Sequence, residues 1–306
     1  MRDKRGTSAV FSQALKLFMN KIWTIIELIN ETTGYFKKKG IESARLEAEL
    51  LLANCLGIER IQLYIAFERP VSEEELSRFR ETVRRRAAGE PAAYLTGYRE
   101  FWSLKIRVQK GVLIPRPETE LLVEEALKLL KPRDQEMAII ELGTGSGAIS
   151  VALAKEIKNS VIYASDISAS ALAVARSNIE EHGLQERIRL VCGDGLAPFR
   201  QRALFDLIIS NPPYICGRDI DMLAPEIKDH EPLQALDGGE DGLAFYRQWI
   251  PQMPPLLHNG GWVILEIGAE QAAAVSQLFR DAEEFTDIAV KKDYAGHNRA
   301  VIARRI

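Results

Sequence analysis

The segment Asn211-Pro212-Pro213-Tyr214 contains residue types that could bind an uncharged amide or amine group. It directly follows an apolar run, residues 204–210, that is typical of a buried strand. Proline fixes φ, has no backbone N–H and keeps the preceding residue extended, so the segment presents mainly carbonyl oxygens. Asparagine adds a side-chain oxygen acceptor, and tyrosine adds a flat face. The pattern predicts a cradle for a planar NH2 group; the alternative is a loop that merely ends the strand.

A glycine-rich turn, Gly143-Thr144-Gly145-Ser146-Gly147, lies between a predicted strand, residues 138–141, and a predicted helix. Glycines let the backbone turn tightly and approach a ligand, and a helix start offers unpaired N–H groups. The spacing also satisfies the dinucleotide fingerprint G-x-G-x-x-G/A through Gly143, Gly145 and Ala148. The turn therefore predicts a nucleotide-like ligand without identifying it.

Three acidic residues lie at or just after the ends of predicted strands: Glu141, Asp166 and Asp194. Ligands of open α/β sheets bind at the carboxyl ends of the strands, where an acidic side chain about twenty residues beyond the glycines can bind ribose hydroxyls. Asp166 has this spacing. The alternative for Asp166 is a helix cap before Ser168, and that role is compatible with ligand binding.

The elements that must position these residues alternate between short apolar strands and helices from residue 138 onward. This alternation predicts an α/β fold with a largely parallel sheet. Before it, helical patterns run from Trp23 to Lys39, from an N-cap at Ser43 to a C-terminal Gly57, and from a capping box at Ser72 to residues 84–86. The first ninety residues therefore predict a helical module.

Between the two parts, Leu104, Ile106 and Val108 alternate with polar residues, a turn follows at residues 109–111, and residues 112–114 are again apolar. This pattern predicts a β-hairpin. The expected organisation is an extension (1–20, mobile or weakly docked), a helical substrate-recognition domain (21–97), a hairpin linker (98–115) and a catalytic domain (116–306).

Composition excludes several classes of protein. The chain has 306 residues, of which 46% are hydrophobic and 27% are charged, which is ordinary for a globular protein. No apolar run approaches the ~18 to 20 residues of a membrane span. Three cysteines without a C-x-x-C pair favour a reducing cytoplasm over a disulfide framework. Residues 1–110 contain 20 Lys and Arg against 14 Asp and Glu, whereas residues 111–306 contain 20 against 29.

Several motifs together resemble the HemK/PrmC family, which belongs to the class I S-adenosylmethionine (SAM)-dependent methyltransferases. The resemblance covers residues 21–306 and rests, besides the two turns above, on residues 91–97, Phe101, 113–120, 231–236, 239–242, 265–268, Gln271, 292–293 and Arg299. It implies a Rossmann-like seven-stranded sheet with a small N-terminal helical domain. It also implies methylation of the side-chain amide (N5) of the glutamine in the Gly-Gly-Gln loop of class I peptide chain release factors, an activity that supports translation termination.

The resemblance also implies roles for single residues. SAM would lie over residues 143–147, with Asp166 on the ribose, Asp194 and Gly195 near the adenine, and Glu141 facing the methionine ammonium. Asn211 would touch both SAM and the substrate. Asn211, Pro212 and Tyr214 would be catalytic, and Asn211, Pro212, Pro213 and Tyr214 would bind the substrate. We expect the Asn211 side-chain oxygen and the Pro212 carbonyl to accept the two amide protons, with Tyr214 against the amide plane. His230 departs from the family pattern, which usually has an aromatic residue there.

Other functions stay open at this stage. A nucleic-acid base methyltransferase, for example of adenine N6, would share the Asn211–Tyr214 motif, but its catalytic domain should be basic or carry a target-recognition insert. A binding module leaves the double proline unexplained, and an NAD-dependent oxidoreductase is disfavoured because nothing resembles a hydride-transfer acid or base. No metal is expected, because the four histidines lack ligand spacing. A monomer without direct nucleic-acid contact is expected. Residues 84–86 are expected to be a solvated helix end or, alternatively, a release-factor contact.

Overall fold

The computed structural model describes residues 22–130, 135–199 and 205–306. The chain divides between residues 96 and 97 into two compact units. The predicted extension, residues 1–20, lies outside the described residues. None of the helices in the described ranges is both long and apolar enough to cross a membrane.

The first unit is built from five helices in its described part: α1 (Ile25–Lys38), α2 (Ala44–Leu56), α3 (Arg60–Ile65), α4 (Glu73–Ala87) and α5 (Ala92–Thr96). The three long helices match the three helical patterns in the sequence. The two short ones were not predicted, because they have six and five residues and show no clear 3.6-residue repeat. Apolar side chains from the long helices form the core of the unit, including Ile25, Ile29, Phe36, Leu51, Leu52 and Phe79.

The predicted helix ends at Ser72 and Gly57 are confirmed. The Ser72 hydroxyl accepts the Glu75 N–H, and the Glu75 carboxylate accepts the Ser72 N–H at 2.9 Å, which completes the capping box. Gly57 ends α2 with φ +67°, a left-handed conformation that a side chain would disfavour. These local signals therefore determine where both helices stop.

The expectation that residues 84–86 form a solvated helix end is wrong for Arg86. Its guanidinium is buried, and Nε donates to Glu47 of α2 at 2.5 Å, so the charge stabilises helix packing. Arg84 and Arg85 are exposed and pair with Glu81 and Glu90. The sequence could not separate the three, because the partner of Arg86 lies 39 residues away.

We expect Glu47→Ala to lower the free energy of unfolding of the helical unit by about 3 kcal/mol, because it removes the carboxylate that accepts two N–H groups of a buried guanidinium. Urea unfolding followed by far-UV circular dichroism measures the change. The matched control is Glu81→Ala, which removes the exposed partner of Arg84 and should cost less than about 1 kcal/mol. Equal losses in the two variants would contradict this assignment.

A hairpin opens the second unit, but its strands and turn differ from those predicted. Strand β1 (Tyr98–Phe101) pairs antiparallel with β2 (Leu104–Arg107), and the turn is Trp102-Ser103 instead of residues 109–111. Both turn residues have positive φ, +53° and +55°, which is the conformation of a two-residue hairpin turn. Neither is Gly, Asn or Asp, so the sequence contains no signal for this turn. The predicted second strand, residues 112–114, is irregular.

The rest of the second unit is built around a seven-stranded sheet in the order β5-β4-β3-β6-β7-β9-β8. The first five strands of this order are parallel, and β9 runs antiparallel between β7 and β8. The strands are β3 (Met137–Leu142), β4 (Ser160–Asp166), β5 (Ile188–Cys192), β6 (Phe205–Ser210), β7 (Leu257–Glu266), β8 (Phe285–Lys292) and β9 (Asn298–Arg305). The predicted α/β fold with a Rossmann-like seven-stranded sheet is confirmed.

Helices cover both faces of this sheet, which explains why the central strands are apolar at nearly every position. Alternate side chains of β3, such as Ile139 and Ile140, enter two different hydrophobic clusters. One cluster contains α6 (Glu120–Leu129), α7 (Ala148–Glu156) and α8 (Ala169–Glu181), and the other contains α10 (Ala244–Trp249) and α11 (Ala272–Asp281); the short α9 (Pro225–Lys228) precedes α10.

Candidate active site

The carboxyl ends of β3, β4 and β6 border a cavity of about 390 Å³. The chain leaves β3 toward β4 on one side and later returns to β6 on the other, which opens a crevice at this point of the sheet. Ten of the residues predicted for the site line the cavity: Glu141, Gly143, Thr144, Gly145, Ser146, Asp166, Asp194, Gly195, Asn211 and Pro213.

The glycine-rich turn bends sharply from β3 into α7. Gly145 has φ +55°, and its N–H donates to the Asp166 carboxylate at 2.8 Å. Gly147 has φ +81°, and a Cβ there would lie 3.2 Å from the Cβ of Ala175, so it lets α7 and α8 pack closely. Gly147 is not among the residues that line the cavity. Its place in the motif is explained by helix packing.

Glu141 is buried at the end of β3, and three groups donate to one of its oxygens, Oε2. These are the Thr144 hydroxyl at 2.8 Å, the Ser150 N–H at 3.0 Å and the Ser150 hydroxyl. Burial raises the pKa of Glu141 to about 7, although these hydrogen bonds favour the ionised form. Glu141 also lines the cavity, so the site contains a carboxyl group that changes its charge near neutral pH.

Asp166 joins the glycine-rich turn to the start of α8. Its Oδ2 accepts the Gly145 N–H and its Oδ1 accepts the Ser168 N–H, both at 2.8 Å. The N-cap of α8 is Ser168, whose hydroxyl accepts the Ala171 N–H, so Asp166 does not cap that helix itself. Asp166 therefore lies at the cavity with its carboxylate oriented by two backbone groups.

Asp194 and Gly195 follow β5 and border another part of the cavity. Gly195 has φ +49°, and a Cβ there would come within 2.4 Å of the Trp249 indole nitrogen. Only glycine fits this position, because Trp249 packs directly against the backbone.

The Asn211–Tyr214 segment leaves β6 at the cavity but divides into two parts. Asn211 and Pro213 line the cavity, whereas Pro212 and Tyr214 are not among its lining residues. The Tyr214 hydroxyl instead donates to the Glu266 carboxylate at 3.2 Å, and burial raises the pKa of this tyrosine. Gln271 donates to the Tyr214 carbonyl at 2.9 Å and to the Gly242 carbonyl at 3.1 Å. These contacts explain why Gln271 and Gly242 belong to the motif.

Sequence reasoning did not assign several other cavity residues to the site. They come from the hairpin and the segment after it, from the loop before α10, and from α10: Phe101, Val112, Leu113, Pro115, Thr119, Pro232, Gln234, Ala235, Phe245, Gln248 and Trp249. Two of these segments are tied together, because Arg116 pairs with buried Glu231 at 2.5 Å. The motifs at residues 113–120 and 231–236 were the sequence signal that could have assigned some of these residues to the site.

Comparisons with known proteins agree with this geometry. Residues 27–97 match the PrmC N-terminal domain, and residues 117–230 match the methyltransferase small domain. A release factor glutamine methyltransferase from Geobacter sulfurreducens is 43% identical over 284 residues, which cover 93% of this chain and 98% of that protein. One from Rhodopirellula baltica is 41% identical over 280 residues, covering 90% and 95%. The chain belongs to the release factor glutamine methyltransferase family.

Membership confirms the resemblance and the prediction that the chain is a methyltransferase. The hMettl16 catalytic domain superposes with a TM-score of 0.54 over 74% of this chain and 81% of that one; at 16% identity this likeness concerns the fold alone. Within residues 22–130, 135–199 and 205–306, no group of three or more His, Cys, Asp or Glu side chains is placed to hold a metal ion.

Proposed function

We propose that this chain transfers a methyl group from SAM to the side-chain amide nitrogen of the glutamine in the Gly-Gly-Gln loop of class I release factors. The observation that carries the proposal is the position of Asn211: it lines the same cavity as the glycine-rich turn and the two acids, Glu141 and Asp166. An amide-binding side chain therefore lies beside a nucleotide-type site, in a chain whose relatives bear the name release factor glutamine methyltransferase.

The residues around the cavity fit SAM. SAM has a cationic ammonium, a ribose diol and an adenine, and the cavity offers the Glu141 carboxylate, the Asp166 carboxylate and the Asp194–Gly195 turn. Glu141 would hold the ammonium through Oε1, the oxygen to which Thr144 and Ser150 do not donate. Asp166 would accept hydrogen bonds from the ribose, and residues 194–195 would border the adenine. When bound, SAM supplies the methyl group from its sulfonium sulfur, and the rest of the molecule leaves as a neutral thioether.

Asn211 and Pro212 would hold the glutamine amide. An amide nitrogen is a poor nucleophile because its lone pair is delocalised into the carbonyl. The Asn211 side-chain oxygen and the Pro212 carbonyl would accept its two N–H groups, orienting the nitrogen and stabilising the positive charge that develops on it. The amide N–H is too weak an acid for a side chain to remove before the transfer. Once the N–C bond forms, the nitrogen is cationic and strongly acidic, so it releases one proton to water and leaves the neutral N-methyl amide. Tyr214 would hold the end of this segment in place through its hydroxyl, which donates to Glu266.

SAM affinity should fall below pH 7, because the ammonium needs an ionised Glu141. Burial raises the pKa of this carboxyl to about 7. Without SAM, Glu141 is therefore increasingly protonated below that pH, and it must release its proton before SAM can bind. We expect roughly tenfold weaker binding at pH 6 than at pH 7.5 by isothermal titration calorimetry. Glu141→Gln should bind weakly at both pH values. A wild-type affinity that stays constant across this range would contradict the role of Glu141.

The decisive experiment combines purified protein, SAM carrying a labelled methyl group and a recombinant class I release factor. Mass spectrometry of the digested release factor should place one methyl group on the glutamine of the Gly-Gly-Gln loop. A matched release factor with Gly-Gly-Ala in that loop should stay unlabelled. Labelling that persists on the altered loop, or that appears on DNA or RNA offered instead, would overturn the proposal in favour of another acceptor.

A further inference from the structure

Behind Asn211 lies a buried chain of hydrogen bonds that reaches from the end of β6 to the end of β7. The Asn211 amide nitrogen donates to the Thr119 hydroxyl oxygen at 3.1 Å. The Thr119 hydroxyl in turn donates to Oε2 of Glu266 at 2.7 Å. Thr119 is 4% exposed and Glu266 is 1% exposed, so the protein itself supplies these partners. Glu266 is not among the residues that line the cavity, and the hydroxyls of Thr119 and Tyr214 connect it with the Asn211–Tyr214 segment.

The direction of these bonds follows from the chemistry of the groups. A carboxylate can only accept hydrogen bonds, so the single proton of the Thr119 hydroxyl points to Glu266. The Thr119 oxygen is then left with lone pairs toward Asn211, and only the NH2 end of the asparagine can face it. The oxygen of a planar amide lies on the other side of the group from its nitrogen. An ionised Glu266 therefore selects one of the two orientations of the Asn211 amide.

We infer that Thr119 and Glu266 are positioning residues that keep the Asn211 side-chain oxygen available to the substrate amide. The inference rests on the proposed function, in which that oxygen is one of the two acceptors. Glu266 also accepts the Tyr214 hydroxyl on Oε1 at 3.2 Å, so one carboxylate holds both ends of the Asn211–Tyr214 segment. In the flipped orientation, Asn211 would present NH2 to the NH2 of the glutamine, and two donors cannot pair.

The ionisation state of Glu266 should determine the direction of the hydrogen bonds that Thr119 and Asn211 make. Burial raises its pKa to about 7, opposed by the Thr119 hydroxyl and by the charge of Arg299 on β9, while Glu118 raises it further. Tyr214 and the Tyr246 hydroxyl, which donates to the Glu266 backbone carbonyl, complete its surroundings. Below pH 7 the protonated carboxyl can donate to Thr119, which frees the Thr119 proton for the Asn211 oxygen. Turnover should therefore decline as the pH falls through about 7.

Three variants separate positioning from a merely structural role. Thr119→Val removes the hydroxyl at nearly constant volume, Thr119→Ser restores it, and Glu266→Gln replaces the carboxylate by a group that can also donate. Thr286→Val, on the exposed face of β8, is the matched control. Turnover is measured from pH 5.5 to 8.5 with SAM saturating at every pH, so that protonation of Glu141 does not enter.

At pH 8, Thr119→Val and Glu266→Gln should turn over at least tenfold more slowly than wild type, with KM for the release factor and Kd for SAM changed less than about threefold. Thr119→Ser should recover to within about threefold, and Thr286→Val should match wild type. Wild-type turnover should have an acidic limb near pH 7 that is missing in Thr119→Val and Glu266→Gln. Wild-type turnover in Thr119→Val, or an unchanged acidic limb in that variant, would overturn the inference. Glu266→Gln provides the same test if Thr119→Val does not fold.

A second measurement does not depend on turnover. In protein labelled with 15N-asparagine, the side-chain amide signals of Asn211 are assigned by their loss in Asn211→Ala. They should shift with a midpoint near pH 7 in wild type and stay constant in Thr119→Val. A wild-type signal that does not respond to pH would overturn the inference even if no release factor is methylated. If wild type methylates the Gly-Gly-Gln loop and Asn211 does not respond, the proposed function stands and the inference fails.

Discussion

Asn211→Ala should lower turnover by about 10²- to 10³-fold, because it removes an acceptor that orients the substrate amide and stabilises the charge developing on its nitrogen. The loss should fall on turnover more than on SAM binding. SAM affinity should change less than about tenfold, since one neutral hydrogen bond contributes about 1 kcal/mol. Steady-state methylation of a release factor, together with calorimetric titration of SAM, measures both quantities on the same preparation.

Asn298→Ala is a suitable control for that variant. Asn298 starts β9, and its amide donates to the Ala269 carbonyl instead of lining the cavity. It should keep wild-type turnover. If Asn211→Ala also retained full turnover, the Asn211 oxygen could not be one of the two acceptors and the proposed mechanism would be wrong. If SAM binding disappeared together with turnover, the main role of Asn211 would be to bind SAM and not to orient the substrate amide.

The second large effect is expected for Asp166→Asn, which should weaken SAM binding by about 10- to 100-fold. Both oxygens of Asp166 accept backbone N–H groups, from Gly145 and Ser168 at 2.8 Å. An asparagine of the same size must turn its NH2 toward one of these donors, so the glycine-rich turn loses a support. In addition, the group that accepts hydrogen bonds from the ribose is then a neutral amide instead of a charged carboxylate. Hydrogen bonds to charged groups contribute about 1.5 to 3 kcal/mol, which corresponds to this range of affinity.

Calorimetry at pH 8 measures that loss, because Glu141 is then mostly ionised. The matched control is Asp281→Asn, at the exposed end of α11, where the carboxylate accepts a hydrogen bond from Gln277. This control should bind SAM as wild type does. An Asp166→Asn protein with unchanged affinity and an unchanged melting temperature would show that Asp166 supports neither the turn nor the ribose.

Much of this fold could be predicted from the sequence because its signals are local. Short apolar runs such as residues 138–140 indicated buried strands, and the helices between them indicated a parallel sheet. The capping box at Ser72 and the left-handed Gly57 are likewise set by residues within a few positions of the helix end. The carboxyl ends of parallel strands meet at one edge, so Glu141, Asp166 and Asn211 could be expected to lie together.

The hairpin shows where such local signals fail. Trp102 and Ser103 adopt positive φ although neither residue type favours it, and the chain around them is stabilised by distant partners. The Trp102 N–H donates to Glu120 at 2.8 Å and its indole N–H to Glu156 at 2.8 Å, while Asn178 of α8 accepts the Arg107 N–H at 2.7 Å. Tertiary contacts therefore decide the register of this hairpin.

The sequence by itself predicted a largely parallel α/β sheet and the residues that could bind a nucleotide and an amide, since these depend on residue type and short spacing, and its motifs indicated the family. Only the tertiary structure decided how Asn211 is held. Thr119 lies 92 residues before it, and Thr119 and Glu266 are 147 residues apart. No local pattern links side chains at such separations. They meet because the turn before α6 and the ends of β6 and β7 converge at one edge of the sheet, where Thr119 and Glu266 are buried and hydrogen-bond to each other.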